Sequence, residues 1–241
     1  NTFFRFKRFT VQQENCAMKV CTDACLFGAW VAQKVKNEKS KVKRVLDIGT
    51  GTGLLSLMLA QQTNAFIDAI EIDEAAAMQA GQNFATSPWK ERLHIHHTSV
   101  QQYTLSTVQQ YDIIICNPPF FENDLRSDNA KRNLALHSTE LSLEELLQAV
   151  HMLLKEDGCF AILLPFHRGD YFEKFASVKH YYLRQKILVR QTPSHSYFRT
   201  MLFFNKQPCI SAVEKKIIIQ NENREYTDDF ILLLRDYYLH L

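Results

Sequence analysis

Short apolar runs alternate with amphipathic segments along most of this chain. Five runs are mostly rich in apolar or β-branched residues, which predicts strands buried in a sheet. They lie at residues 44–48, 65–70, 93–97, 111–116 and 159–164. Helical segments separate them at residues 54–61, 75–85 and 142–154. Strands that alternate with helices predict an α/β fold, with a parallel sheet covered by helices on both faces.

The order of elements changes in the last third of the chain. A helix at residues 172–178 precedes two strands, at residues 183–190 and 200–204, which the loop at residues 191–199 joins. Because such a short link allows only antiparallel pairing, we predict a seven-stranded, mainly parallel sheet with an antiparallel edge. A further strand and a helix follow. They lie at residues 215–219 and 227–238.

The length of the chain, 241 residues with 46% hydrophobic positions, is enough for a sizeable core. We expect a single domain over residues 1–241. Its parts would be an N-terminal extension and helix at 1–40, a core at 41–206, and a C-terminal strand and helix at 207–241. Residues 3–9 alternate aromatic and basic side chains, which fits an edge strand better than an arm on a nucleic-acid backbone.

Targeting signals are not visible in the sequence. No run approaches the roughly 18 apolar residues of a membrane span, and the first residues lack the apolar segment of a signal peptide. Because residue 1 is not Met, we expect the native chain to begin upstream. The missing apolar run predicts no membrane association. The six cysteines follow no disulfide framework, so we predict reduced thiols and a cytoplasmic location.

Metal ligation is not supported by the histidines and cysteines. Cys21 and Cys25 share a helical face, but no second pair completes four ligands. His94, His96 and His97 lie in a predicted strand, where neighbouring side chains point to opposite faces. We therefore predict no metal site.

The net charge is only +2, so a nucleic-acid partner would have to bind a local basic face. Six basic residues gather in the last third of the chain, where a solvated edge and a phosphate-binding face fit equally well. They are Lys179, His180, Arg184, Lys186, Arg190 and Arg199.

A glycine turn follows the first strand of the parallel series, at Asp47-Ile48-Gly49-Thr50-Gly51-Thr52-Gly53. Glycines let the backbone turn sharply and approach a ligand closely. Their strict alternation differs from the G-x-G-x-x-G spacing of nicotinamide enzymes, and a carboxylate at Asp47 would repel a pyrophosphate. S-adenosylmethionine (SAM) carries an ammonium and a sulfonium and no phosphate, which favours it as the cofactor.

Two further strand ends extend this cofactor site. Glu71 ends the second strand about 20 residues beyond the glycines, where a carboxylate takes both ribose hydroxyls. We favour Glu71 over Asp73 and Glu74, which open the next helix. Ser99 follows the third strand and is placed to bond the adenine of the cofactor.

The sequence Asn117-Pro118-Pro119-Phe120 ends the fourth strand. Each proline fixes its own φ, and a residue before proline is held extended, so Asn117 and the Pro118 carbonyl are rigidly placed. Two acceptors on an exocyclic amine draw its nitrogen toward tetrahedral geometry, and the Phe120 ring would stack on the base. By itself the motif fits an ordinary turn equally well.

The three strand ends together indicate one cleft, with SAM over the first two and an amine at Asn117. The predicted reaction is direct methyl transfer to nitrogen, and it needs no strong base because the methylated ammonium loses its proton readily. The polar residues 121–132 fit a substrate loop over this cleft.

The chain resembles class I SAM-dependent N-methyltransferases, and more closely the bacterial tRNA(Val) adenosine-37 N6-methyltransferase family. Several segments carry the resemblance, the run from Cys16 to Trp30 most specifically. They are Phe4-Arg5-Phe6-Lys7, Cys16-Ala17-Met18-Lys19-Val20 with Thr22-Asp23, Gly28-Ala29-Trp30, the glycine turn, Ser87-Pro88-Trp89, Gln101-Gln102 and Asn117-Pro118-Pro119-Phe120.

The resemblance implies a Rossmann-like class I methyltransferase fold, SAM as cofactor and tRNA as substrate. It places Lys19, Thr22 and Asp23 at the border of the SAM pocket, where Asn117 also lies. It also implies that Asn117, Pro118 and Phe120 hold the target adenine. Ser99 departs from the family, which commonly has an acid there, and Cys21 and Ala24 replace common glycines.

Three other functions remain open from the residues. One of them is protein glutamine N5-methylation, because a glutamine amide is also planar and fits the motif. Another is N6-methylation of adenine in DNA or ribosomal RNA. The third is a non-catalytic module that binds SAM or RNA.

Overall fold

The computed structural model describes residues 1–16, 18–37, 42–118, 141–208 and 211–241. Phe120 and the predicted substrate loop at residues 121–132 lie outside these ranges. The strands are β1 (Phe3–Arg5), β2 (Thr10–Gln12), β3 (Arg44–Ile48), β4 (Phe66–Glu71), β5 (Leu93–His97), β6 (Tyr111–Cys116), β7 (Leu154–Pro165), β8 (Tyr182–Arg190), β9 (Tyr197–Asn205) and β10 (Val213–Ile218). The helices are α1 (Thr22–Asn37), α2 (Leu54–Gln62), α3 (Glu74–Ala85), α4 (Val100–Ser106), α5 (Leu143–Leu153), α6 (Phe166–Val178) and α7 (Asp228–Leu234).

Eight of these strands form one sheet, in the order β10-β8-β9-β7-β6-β3-β4-β5. All are parallel except β9, which runs antiparallel between β7 and β8. The α/β class and the antiparallel pairing in the last third are thus confirmed. The predicted number of seven strands was one too low, because β10 pairs in parallel with β8 and adds an eighth.

Alternating residues of the strands bury two separate cores, one on each face of the sheet. In β3, Val45 packs with α1, α2, α3 and α7, whereas Leu46 packs with α4, α5 and α6. Helices therefore cover both faces, as predicted.

The boundary between α5 and β7 differs from the prediction. The helix predicted at residues 142–154 is α5, and β7 begins directly after it at Leu154, which pairs with Tyr111 of β6. The strand therefore starts before the apolar run predicted at residues 159–164. Asp157 is exposed within β7, between buried Leu154 and buried Gly158.

The N-terminal strand lies apart from the main sheet. Within the ranges given above, β1 pairs with β2 alone, in a two-stranded hairpin. Phe6 is buried, with its ring centroid 4.5 Å from that of Phe9 and 6.0 Å from that of Tyr238. The backbone N–H of Lys7 donates to the Tyr237 carbonyl at 2.8 Å. The aromatic residues of this segment thus serve packing against the C-terminal region.

Neither a membrane-spanning helix nor a metal-binding cluster occurs in the described part of the chain. No helix in it is long and apolar enough to cross a membrane, and the cytoplasmic location stays a prediction. No group of three or more His, Cys, Asp or Glu residues there is arranged to hold a metal ion. His96 instead contacts Asp68 at 3.2 Å, and His97 contacts the Ile72 carbonyl at 3.2 Å. Cys25 is a buried thiol, and burial raises its pKa to about 12.

Candidate active site

The carboxyl ends of three neighbouring strands bring the main site residues together. Ile48 of β3 pairs with Ile70 of β4 on one side and with Cys116 of β6 on the other. Each of these three residues is followed in the chain by a predicted site residue. The three that follow are Gly49, Glu71 and Asn117. The sheet order reverses between β3 and β6, and open α/β sheets bind ligands at such a switch point.

Asp47 is fully buried behind the glycine turn. Its Oδ2 accepts hydrogen bonds from Thr50 Oγ1 at 2.6 Å and from Ser56 Oγ at 2.8 Å. Its Oδ1 is buried without a hydrogen-bond partner among the described residues. Burial raises the pKa of Asp47 to about 6, although both hydroxyls act to lower it. Asp47 thus fixes the shape of the turn, and its contact with the cofactor stays a prediction.

The three glycines of the turn have two different roles. Gly49 and Gly51 have φ values of +71° and +55°, and a Cβ on either would meet no atom within 4 Å. Gly53 has φ +82°, and its Cβ would lie only 2.5 Å from Cε1 of Phe84 in α3. Gly49 and Gly51 therefore leave the backbone open to a ligand, whereas Gly53 lets α2 start close to α3.

Glu71 ties the end of β4 to the glycine turn. Its Oε2 accepts from the Gly51 N–H at 2.8 Å, and its Oε1 accepts from Ile72 and Asp73 at 2.9 and 3.0 Å. Asp73 does something else, because its carboxylate caps α3 by accepting from the Ala76 N–H at 2.8 Å. Only Glu71 of this pair has its carboxylate at the turn, which supports the choice made from the sequence.

The residues around this turn fit SAM. Gly49 and Gly51 form a cradle with open space in front of the backbone, and the Glu71 carboxylate beside it offers acceptors for ribose hydroxyls. The unpartnered Oδ1 of Asp47 adds a buried acceptor behind the turn, suited to a donor or a cation. The side-chain acceptors at this site belong to two acidic residues, Asp47 and Glu71. The site therefore matches a cationic cofactor and disfavours one that carries phosphates.

Asn117 follows the last residue of β6 and is partly exposed, whereas Pro118 is buried. The buried proline anchors the turn, so the Asn117 side chain starts from a fixed backbone at the mouth of the cleft. Phe120 lies outside the described residues, and its stacking role stays a prediction.

Ser99 is the N-cap of α4, where its hydroxyl accepts from the Gln102 N–H at 3.2 Å. The adjacent Thr98 N–H donates to the Glu71 carbonyl at 3.0 Å, which places Ser99 close to the Glu71 side of the cleft. A contact between Ser99 and the adenine of the cofactor stays a prediction, since the hydroxyl already serves the helix end.

Lys19, Thr22 and Asp23 lie where the N-terminal segment enters α1. The ammonium of Lys19 is held by backbone carbonyls of residues 13 and 14. The Thr22 hydroxyl bonds that of Tyr238. Asp23 accepts from Nε of Arg199 at 2.7 Å, and Arg199 lies in β9 beside the carboxyl end of β7. The ion pair holds the start of α1 at the site edge of the sheet, while direct contacts of these residues with SAM stay predictions.

Asn83 in α3 was missed by the sequence analysis, although it supports the turn directly. Its side chain is 1% exposed. Its Oδ1 accepts from the Gln12 N–H at 2.9 Å, and its Nδ2 donates to the carbonyls of Gln12 and Thr52, each at 2.8 Å. One amide thus joins the end of β2 to the glycine turn. The only signal available was an isolated polar residue on the apolar face of a helix.

Comparison with known proteins gives the family of this chain. Residues 29–163 match the model of the methyltransferase small domain. A tRNA1(Val) (adenine(37)-N6)-methyltransferase from Cytophaga hutchinsonii is 42% identical over 247 residues, which cover 100% of this chain and 99% of the relative. The chain belongs to this family. A family member from Serratia proteamaculans is 38% identical over 98% of this chain and 89% of its own length.

Solved structures confirm the Rossmann-like methyltransferase fold. A predicted O-methyltransferase from Agrobacterium tumefaciens has a TM-score of 0.66 at 15% identity, covering 89% of this chain and 96% of its own. A 16S rRNA N2 methyltransferase from T. thermophilus, solved with AdoMet and guanosine, has a TM-score of 0.60 at 20% identity. It covers 85% of this chain and 50% of its own. Family and fold together confirm SAM as the expected cofactor.

The buried carboxylate of Asp47 predicts a pH dependence of stability. Burial raises its pKa in the fold to about 6, above the ordinary aspartate value of 3.8, so the folded protein binds an extra proton between these values. The stabilisation is present below pH 4 and is lost as the pH rises through 6. Relative to Asp47→Asn, the free energy of unfolding of the wild type should fall by about 1 kcal/mol from pH 5 to pH 7.5.

Urea unfolding of both proteins at the two pH values measures this difference. Asp68→Asn is the control, because hydrogen bonds from His96 and Tyr111 lower the pKa of Asp68 despite its partial burial. A constant difference between wild type and Asp47→Asn across this range would show that Asp47 is already ionised in the fold at pH 5.

Proposed function

We propose that this protein transfers a methyl group from SAM to N6 of an adenosine in tRNA, at position 37 of a valine tRNA. The observation that carries the proposal is the row formed by Gly49, Glu71 and Asn117, which puts a cofactor cradle beside an amide acceptor at one switch point. The names of the relatives support the nucleotide. When bound, SAM supplies a methyl group on a positively charged sulfur.

The chain would act mainly by positioning the amine. The side-chain oxygen of Asn117 and the Pro118 carbonyl accept the two hydrogens of N6, which turns the lone pair of the nitrogen toward the methyl group. Bound SAM would supply the methyl carbon, and its sulfur would keep the electron pair of the broken bond as a neutral thioether. The amine held by Asn117 and Pro118 would gain the methyl group and lose one N6 proton to water. Buried Pro118 keeps both acceptors fixed during this step.

An adenosine in an anticodon loop suits such a site. The exocyclic amine of a paired adenine is engaged inside the helix, and an enzyme must unstack it before reaction. A loop adenosine is already unpaired, so its extrusion costs less. The substrate proposed from the relatives therefore agrees with a site that offers two hydrogen-bond acceptors at the carboxyl end of a strand.

Methylation of defined transcripts tests the proposal. The protein is incubated with SAM and an unmodified valine tRNA transcript, which is digested to nucleosides and analysed for N6-methyladenosine by mass spectrometry. We expect the product with adenosine at position 37 and its loss when guanosine replaces it. Absence of product on tRNA would overturn the proposal, and parallel reactions with ribosomal RNA, DNA and a release-factor peptide would identify the alternative substrate.

A further inference from the structure

A second surface lies at the same edge of the sheet as Asn117, on the β7 side. Cys116 of β6 pairs with Ile162 of β7, so Asn117 is level with Leu163. β7 continues to Pro165, two residues or about 7 Å beyond that level, and α6 then starts at Phe166. Phe166 therefore stands next to the mouth of the cleft.

Three planar groups form a stack on this surface. The guanidinium carbon of Arg190 lies 5.4 Å from the ring centroid of Tyr197, and the centroids of Tyr197 and Phe166 are 5.4 Å apart at an interplanar angle of 38°. Arg190 is also held by the Pro193 carbonyl, to which its NH1 group donates at 2.8 Å. The stack runs from β8 across β9 to the first residue of α6, which follows β7, the strand next to the one that ends before Asn117.

The last ring of this stack faces solvent. Phe166 is 40% exposed at the start of α6, whereas Phe172 and Ala176 of the same helix are buried. One side of its ring rests against Tyr197, which Arg190 approaches from behind, and the rest of the ring is open to solvent. It has the form of a platform for another planar group.

Charges and donors around the platform match a nucleic acid. Arg190 adds positive charge behind the rings, and Arg199 lies next in β9, although Asp23 neutralises it. The turn between β8 and β9 presents exposed Ser194, His195 and Ser196. Hydroxyl, imidazole and guanidinium groups donate to phosphate and sugar oxygens, while aromatic rings stack on bases whatever their sequence.

We infer that Phe166, supported by Tyr197 and Arg190, is the stacking platform for an RNA base next to the target adenosine. The inference rests on the proposed function and adds to it the residues that hold the flanking nucleotide. Its occupant is single-stranded RNA, since a base adjacent to an extruded adenosine loses its stacking partner and gains one on Phe166. Tyr197 and Arg190 act through Phe166 and are positioning residues.

Binding measurements on Phe166→Ala test the platform. Fluorescence anisotropy with a fluorescein-labelled valine tRNA transcript is expected to show about 5- to 150-fold weaker binding, the range found when one base loses an aromatic partner. SAM affinity, measured by calorimetry, is expected to stay at the wild-type value, since Phe166 lies outside the cofactor residues. Phe166→Trp is expected to restore RNA binding.

Tyr171→Ala is the matched control, because Tyr171 is another exposed aromatic residue on the same helix and its ring stacks on that of Phe175, away from Tyr197 and Arg190 in the described structure. It should bind RNA like the wild type. Equal RNA affinity of Phe166→Ala and wild type would overturn the platform while leaving methylation of the transcript intact. Failure of Phe166→Trp to restore binding would also overturn it, as would stronger binding of a peptide than of RNA at this surface.

Discussion

Replacing Asn117 by alanine is expected to lower the rate of N6 methylation about 100- to 1000-fold, with little change in SAM affinity. The reason is that Asn117 follows β6 beside the glycine turn, where we propose that it supplies an acceptor to the reacting amine, whereas the proposed cofactor site lies over β3 and β4. Single-turnover methylation of the tRNA transcript measures the rate, and calorimetry measures the affinity for SAM.

Asn117→Asp is the informative companion variant. Aspartate keeps an oxygen that accepts from the amine and has nearly the same shape, so it should retain more activity than alanine. If both variants lose activity equally, the NH₂ group of Asn117 matters and the acceptor role is wrong. If Asn117→Ala keeps the wild-type rate, the protein is not an N-methyltransferase that uses this strand end.

Replacing Glu71 by alanine is expected to weaken SAM binding about 100-fold. The carboxylate sits at the cradle. The two hydrogen bonds that we propose from the ribose hydroxyls to this charged group would be lost. The variant also leaves the N–H groups of Gly51, Ile72 and Asp73 without their acceptor, so it should unfold at lower urea concentration. Calorimetry with SAM and urea unfolding measure the two effects separately.

Two further variants separate the ribose role of Glu71 from its structural role. Glu71→Gln keeps an oxygen that can accept from Ile72 and Asp73, so it should lose less stability than alanine and still bind SAM weakly. Asp73→Ala removes the cap of α3 and should cost about 1 kcal/mol of stability without changing SAM affinity. Weak SAM binding by Asp73→Ala together with normal binding by Glu71→Ala would reassign the ribose contact to Asp73.

The hydrophobic pattern was sufficient to predict those helices and strands that depend on residues close in sequence. The β-branched run at residues 111–116 became β6, and the capping box at Ser142 starts α5, because both depend on residues close in sequence. The partner of β10 was not predictable in the same way. Its pairing with β8 joins residues 28 positions apart, and the β-branched run at residues 217–219 indicates only that it is a strand.

The site followed a similar division. The chain order of Asp47, Glu71 and Asn117 relative to strand ends was enough to place three of the expected groups in one cleft. The detail of each contact was not, because it depends on what packs behind. Nothing in the sequence distinguishes Gly53, which faces Phe84, from Gly51, which faces open space. The pair of Asp23 with Arg199 joins residues 176 positions apart and has no local signal.

The N-terminal hairpin packs against Tyr237 and Tyr238, so this part of the fold can form during synthesis only after those residues have been made. Phe6 is synthesised long before Tyr238, one of its partners, and Lys7 can bond the carbonyl of Tyr237 only once that residue has been made. At typical translation rates these partners follow roughly 10 to 50 s later. The segment that Asn83 clamps beside the glycine turn therefore gains its last support well after the strands of the cofactor cleft have been made.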